Sequence, residues 1–337
     1  MKKRLILLAL ILPVLVIAAA AMSLVWYIDQ PLSVVGERVE VQVPRGASMR
    51  QAARAVAEGG VSVSPATLYW FARLGGHAHR IKAGSYVFEN GVSPRQIVEK
   101  LVRGDVVLQS LALIEGWTFR QMRAALDAHP DLQHDSRDMD EDTLLRQIGA
   151  AETNAEGLFF PDTYHFERGT SDLDVLRRAY GQMQSRLNDL WAKRAEGLPF
   201  DSPYQALILA SIVEKETGKG DDRPLIASVF INRLRIGMLL QTDPTVIYGI
   251  GHTFDGNLRR RDLERDSPYN TYTRPGLPPT PIAMPGEAAI EAVLNPAHSE
   301  FYYFVARGDG SSQFSRNLNE HNRAVRQFQL QQKGKGS

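Results

Sequence analysis

The sequence predicts an α+β fold, arranged as two exported units behind an N-terminal transmembrane helix, and three observations carry that reading. A basic N-terminus leads into an uncharged apolar run from Leu5 to Tyr27. Short segments that alternate polar with apolar are interleaved with helical patterns up to about residue 108. Beyond it, longer helix-period segments are separated by loops rich in proline, tyrosine and amides.

The apolar run sets the expected compartment. Residues 1–4, Met1-Lys2-Lys3-Arg4, form a basic cluster, and residues 5–27 carry no charge before Asp29. Roughly 20 apolar residues suffice to cross a bilayer core. Lysine and arginine ahead of the run place the N-terminus in the cytoplasm, and Trp26-Tyr27 fall where an interfacial aromatic belt is expected. Pro13 is tolerable in a membrane helix. The rival reading is a cleaved signal peptide, with Ala18 to Ala21 as the small-residue cleavage site. Continuation of the apolar stretch into Leu24-Val25-Trp26 favours a retained anchor. On either reading, residues from about 30 onward lie outside the inner membrane.

Composition narrows the chemistry. The chain has no cysteine, which excludes disulfides and thiolate catalysis. A net charge of +1 gives no general reason to expect a nucleic-acid partner. The exported length is enough to bury a substantial core in two units.

The first unit, residues 30–108, opens with Arg38 to Val43, whose alternation reads as a half-buried strand. Ser48 caps an alanine-rich helix that stops at Gly59-Gly60. A helix over Ser64 to Leu74, a strand over Ser85 to Phe88 and a helix from Ser93-Pro94 to Gly104 follow. Met49-Arg50-Gln51, Pro94-Arg95-Gln96 and Phe119-Arg120-Gln121 echo one another at helix starts, but their uneven spacing excludes a solenoid. A small strand–helix–helix–strand module fits. Glycan binding and a spacer role suit such a module equally.

The second unit, residues 109–330, begins with an acidic stretch over 130–155 that reads as a solvated connection or short helix. It lacks the central glycine and closing glutamate of a calcium loop, and nothing else in the chain calls for a metal or a cofactor. Asp172 to Glu196 reads as a long amphipathic helix capped by Ser171. Its expected core stripe is Leu173, Leu176, Tyr180, Met183, Leu187 and Leu190.

Ser202 to Gly218 is the segment that carries chemistry. Ser202 caps, Pro203 opens and Gly218 stops a helix that is apolar on nearly every face, so it should be buried. Glu214 shares a face with Leu207, Ala210 and Ser211, whereas Glu216 is turned away from it by about 200°. Partial burial favours a protonated carboxyl, as a general acid requires. An ordinary last turn in which Glu214 pairs with an arginine is the alternative.

A second helix is expected over Pro224 to Leu234, ended by Gly237. Gln241 to Gly249 then reads as a loop entering a short helix, with Asp243 as cap and Pro244 at the first position. Ser267 to Thr273 and a proline-rich loop over Pro275 to Pro285 add tyrosines, hydroxyls and amides. Such groups suit a carbohydrate, whose hydroxyls need hydrogen-bond partners and whose faces stack on rings. Phe301 to Phe314 reads as a hairpin around Gly308-Asp309-Gly310, and Asn317 to Gln331 as a terminal helix. The chain lacks H-E-x-x-H and G-x-S-x-G, which weakens metalloprotease and serine-hydrolase readings.

Ala210 to Thr217, Val229 to Leu234, Leu240 to Gly249, Tyr269-Asn270-Thr271-Tyr272 with Gly276 to Pro279, and Glu156 to Tyr164 together resemble the endolytic murein transglycosylase family, also called MltG or YceG-like. The resemblance spans essentially the whole chain. It implies an inner-membrane anchor, a LysM-like module over 30–108 and a catalytic domain over 109–330. It further implies an endolytic lytic transglycosylase, a lyase cutting the β-1,4 bond between N-acetylmuramic acid and N-acetylglucosamine inside peptidoglycan strands to leave 1,6-anhydro ends. The family's catalytic glutamate corresponds to Glu214. Gln241, Asp243, Tyr248, Tyr269 and Asn270 are candidates to bind substrate and stabilise the transition state, and Glu156 and Asp162 to shape the cleft. The expected partners are peptidoglycan strands, the membrane and wall synthases, which suits a terminase of strand elongation. Two alternatives stay open: a non-catalytic peptidoglycan-binding scaffold, and a muramidase using Asp243 as second carboxylate.

Overall fold

The antiparallel pair of β1 (Arg38–Val43) and β2 (Gly84–Glu89) matches Arg38 with Glu89 and Val43 with Gly84. Its alternation sends Val41 and Val43 inward, each 2% exposed. Between the strands run α1 (Met49–Glu58) and α2 (Pro65–Leu74), and after them α3 (Pro94–Arg103), so the expected strand–helix–helix–strand order is the order observed. Ala52, Val56, Leu68, Phe88, Ile97 and Leu101 fill the core of this unit.

The computed structural model describes residues 22–330 apart from positions 24 and 218, together with Leu15, with side chains to Phe328. Most of the expected span over 5–27 lies outside these residues. Among the described residues no helix is long and apolar enough to cross a membrane.

The echo at the helix starts has a local cause. Ser48 and Gln51, Ser93 and Gln96, and Thr118 and Gln121 each form a capping box, the last at the start of α4 (Phe119–Ala128). In each, the hydroxyl accepts the backbone N–H of the glutamine, and the glutamine side chain reaches back to the cap N–H. A cap of this kind contributes about 1 kcal/mol, which suffices to select the same residues without any repeat.

The chain forms two units. One runs to Gln109 and takes in His165–Gly169; the other comprises Ser110–Tyr164 and the chain from Thr170 onward. The chain crosses between them within β3 (Leu108–Ala112), within β5 (Thr163–Glu167) and again between Gly169 and Thr170.

In the second unit, β4 (Leu132–Gln133) pairs parallel with β6 (Thr170–Ser171), and α5 (Glu141–Ile148) lies between them in sequence. Next come α6 (Asp172–Ala192), α7 (Pro203–Glu216), α8 (Arg223–Arg235), α9 (Asp243–Ile250), α10 (Arg260–Glu264) and α11 (Glu287–Leu294). The hairpin of β7 (Tyr303–Ala306) and β8 (Ser312–Ser315) and α12 (Leu318–Val325) complete it. Ala206 through Val213 are buried without a gap because α6, α8, α9 and α11 all pack on α7. That wrapping is what an all-round apolar helix requires.

Three element expectations need correction. The long helix ends at Ala192, short of Glu196, where Lys193 N–H turns back to Leu190 O. Its core side is Val175, Leu176, Ala179, Met183 and Leu187, with Leu173, Tyr180 and Leu190 half-buried at the margin. A stripe counted from large side chains alone misses the small and β-branched ones that permit close helix packing. The terminal helix is α-helical only to Val325 and then widens into a π turn over Arg326–Leu330. The stop expected at Gly218 lies outside the described residues; Thr217 already leaves the helix in extended conformation.

Candidate active site

Glu214 sits in the last turn of α7 with its side chain only 7% exposed. Gly286 N–H donates to its Oε2 at 3.0 Å, and Arg223 Nη2 stands 3.6 Å from its Oε1. Burial disfavours the carboxylate and raises the pKa of Glu214. The Gly286 N–H and the Arg223 charge oppose that rise, Glu115 adds to it, and Lys215 opposes it. Both readings of this residue therefore meet: it has an arginine neighbour, yet burial keeps its affinity for a proton high. The ion pair is loose, since 3.6 Å exceeds hydrogen-bond distance, and Arg223 Nε is buried without a hydrogen-bond partner.

One helical turn earlier, Ser211 Oγ donates to Ile208 O at 2.7 Å and accepts Ile282 N–H at 3.0 Å. The same face of α7 therefore receives the segment 281–286 at two points. Gly157 shapes that segment from outside. Its φ is +78°, and a Cβ there would stand 2.4 Å from Pro281 Cβ, so only glycine fits.

The turn Glu115-Gly116-Trp117 closes the other side. Gly116 N–H donates to Met284 O and Met284 N–H to Trp117 O, both at 2.8 Å. Lys215 Nζ donates to Gly116 O at 3.1 Å. Glu115 and Lys215 are exposed, marking the solvent side of the Glu214 carboxyl. Sequence reasoning missed Glu115, Arg223 and Gly286. The sole signal was a Glu-Gly step between a strand and a capped helix, which turns supply everywhere.

Glu216 faces elsewhere, as its 200° offset requires. Thr242 Oγ1 donates to its Oε1, and burial pushes its pKa up to about 7, opposed by Thr242, raised further by Asp243 and opposed by Arg233. Asp243 is not the cap of α9: Thr242 holds that position, Asp243 is the first helical residue, and its Oδ1 accepts Tyr272 OH at 2.5 Å. Asp243 thus bears on Glu216, and the carboxylate that bears on Glu214 is Glu115. Arg233 donates to Leu240 O at 2.6 Å and Tyr302 O at 2.7 Å, while Asn232 donates to Ser299 O and Phe301 O. These two motif residues fasten loops.

Glu156 is 5% exposed and accepts Phe119 N–H at 2.9 Å and Tyr248 OH at 3.1 Å. Burial pushes its pKa up to about 7 against those two hydrogen bonds. Tyr248 packs edge-on against Tyr269 with ring centroids 4.8 Å apart, and Tyr269 OH is 2.8 Å from Thr280 Oγ1. Glu156 therefore fixes the tyrosine pair, and through Gly157 its strand of chain abuts Pro281. Asp162 is exposed and accepts Gln182 Nε2 at 2.9 Å.

Asn270 is 1% exposed; its amide donates to Leu263 O and Arg265 O, and its Oδ1 accepts Tyr272 N–H. Its polar atoms all serve the loop, so it offers none to a ligand. Gln241 differs. It is exposed, and at φ 49° it is the one non-glycine residue with positive φ among the described residues. Such a conformation costs on the order of 1–3 kcal/mol and persists at functional sites.

Among the described residues, one group, Asp127, His134 and Asp172, could hold a metal. It does not include Glu214. Asp172 accepts Ser136 N–H and Oγ–H at the start of α6, Arg137 Nε stands 3.8 Å from Asp127 Oδ1, and Asp127 Oδ1 and His134 Nδ1 are buried without a hydrogen-bond partner.

A family model described as YceG-like matches residues 41–327. The chain is 32% identical over 308 residues to an endolytic murein transglycosylase of Bacillus subtilis, covering 86% of this chain and 84% of the relative. It is 27% identical over 324 residues to an endolytic murein transglycosylase of Streptococcus pneumoniae, but spans only 58% of that relative's length. The crystal structure of a YceG-like protein from Listeria monocytogenes superposes with a TM-score of 0.55 at 30% identity, covering 85% of this chain and 99% of that one.

Proposed function

The chain belongs to the YceG-like family, and from that premise we propose that it is an endolytic murein transglycosylase whose general acid and base is Glu214. One observation supports the assignment above the others: an almost buried carboxyl at the end of an apolar helix, with raised pKa, beside the exposed Glu115.

Protonated Glu214 donates its proton to the glycosidic oxygen as the bond from that oxygen to the anomeric carbon of N-acetylmuramic acid breaks. The same ring's 6-hydroxyl oxygen then closes on that carbon, and its proton passes to the Glu214 carboxylate. The products are a free 4-hydroxyl and a 1,6-anhydro end. No water is consumed and the acid is regenerated. Ordinary glycosidases need a second carboxylate to activate water or form a covalent intermediate; an internal nucleophile removes that need. Tyr248, Tyr269 and Gln241 are the residues assigned to the sugar, with Glu156 holding Tyr248 and Asp243 holding Tyr272.

The basic residues 1–4 and apolar residues 5–27 support a single inner-membrane anchor with a cytoplasmic N-terminus, which restricts cutting to strands near the membrane. The strand–helix–helix–strand order in residues 30–108 supports a LysM-like module there, as a glycan contact or as a spacer. Wall synthases are the fitting neighbours of a terminase that sets strand length. Mass spectrometry of digested uncrosslinked strands tests the reaction: anhydro ends from the wild type and none from Glu214→Gln are expected. Reducing ends, or full activity of Glu214→Gln, contradict it.

A further inference from the structure

Two carboxyls converge on one glycine. Gly286 N–H donates to Glu214 Oε2 at 3.0 Å. A Cβ built on the same Gly286 would lie 1.9 Å from Glu115 Oε1 and 2.4 Å from Glu115 Cδ. The absence of a side chain at 286 is what lets the Glu115 carboxyl lie against this backbone. Nor is Glu115 on a loose loop. The Gly116–Met284–Trp117 pair of backbone hydrogen bonds straps its turn to the 284–286 segment, and Lys215 Nζ holds the turn through Gly116 O.

The two environments differ in the way that separates acid from base in carboxyl pairs. Glu214 is buried to 7% exposure, whereas Glu115 faces solvent. We propose that Glu115 is the electrostatic partner of Glu214, an ionised carboxylate that holds the acid's proton in place and faces the sugar ring as positive charge builds at the anomeric carbon. The inference rests on Glu214 being the general acid. It gives the reaction a second carboxylate without assigning it a nucleophile's or a base's role.

Charged and dipolar groups reach Glu214 from every side. Arg223 comes from the start of α8, Lys215 from its own helix, the Gly286 N–H from the segment before α11, and Glu115 from the turn. The first three favour the carboxylate and Glu115 alone among them favours the acid. Removing the Glu115 charge therefore lowers the pH at which Glu214 loses its proton. The alkaline limb of activity moves to lower pH.

The test uses the full-length chain in detergent, with kcat and KM for anhydro-end formation measured across pH for the wild type, Glu115→Gln, Glu115→Asp and Glu214→Gln. Glu115→Gln should lower kcat roughly tenfold to a hundredfold, leave KM nearly unchanged and shift the alkaline limb downward. Glu115→Asp, which keeps the charge, should restore the limb and part of the rate. An unchanged rate, or a lower rate with an unmoved limb, overturns the proposal. Full activity of Glu214→Gln overturns instead the reading on which it rests, so the two failures are told apart.

Discussion

Ser211 and Glu214, one turn apart on α7, hold the same piece of chain: Ser211 Oγ accepts Ile282 N–H and Glu214 Oε2 accepts Gly286 N–H, each at 3.0 Å. The helix is wrapped by α6, α8, α9 and α11, so this face is fixed in place. The acid therefore needs no motion of its own to stay oriented, and a preorganised donor is worth more than a mobile one. The clearest consequences of this arrangement concern the glycines and carboxyls around it.

Gly286→Ala should separate activity from stability. Its φ of −76° suits alanine, and the new Cβ meets chiefly the far end of the flexible Glu115 side chain. Folding should change by only about 1 kcal/mol, because the atoms the new Cβ meets at this buried position belong to a side chain that can turn aside. The Glu115 carboxyl must swing away, however, and turnover should fall roughly tenfold. Thermal melts beside turnover assays check both halves.

Gly157→Ala should do the opposite and harm the fold. A side chain there combines φ +78° with a 2.4 Å approach to Pro281 Cβ. A loss of about 2–4 kcal/mol is expected from strain and overpacking together. Urea unfolding should show a lowered midpoint at unchanged slope, with activity following the displaced 281–286 segment.

Glu156 should make stability depend on pH. Its pKa rises from 4.5 to about 7 on folding. The folded state thus binds the proton more tightly, so the contribution is full below about 4.5 and is lost as pH rises through about 7. At the alkaline end the loss is on the order of 3 kcal/mol. Glu156→Gln should flatten the fall in melting temperature between about pH 4.5 and 7, the window set by those two values; a slope equal to the wild type's would contradict the assignment.

Gln241→Gly relieves the left-handed backbone but adds chain entropy to the unfolded state. The two effects are each about 1 kcal/mol and of opposite sign, so stability should hardly move. If the strain serves to present the Gln241 side chain to glycan, KM should rise while the fold stays intact. Steady-state kinetics and a melt decide it.

Much of this arrangement was legible in the chain, for physical reasons. The buried α7 followed from its all-round apolar pattern, and the separation of Glu214 from Glu216 followed from helical geometry alone. Capped helix starts were plain because Ser48, Ser93 and Ser202 each stand before a helical pattern. Contacts far apart in sequence were not. Nothing local says that Glu115 meets Gly286, or that Asp243 serves Glu216 through the turn at Thr242. Asn270 shows the limit from the other side, since an amide on a polar loop looks available until its carbonyl partners are seen.

The role of Glu214 is tested by mass spectrometry of the ends made from uncrosslinked glycan strands by the full-length protein and by Glu214→Gln. With Glu214 as general acid, the wild type should leave 1,6-anhydro ends and the variant should lose about a hundredfold or more of that activity at unchanged melting temperature. Reducing ends from the wild type, or anhydro ends formed equally well by Glu214→Gln, would contradict it.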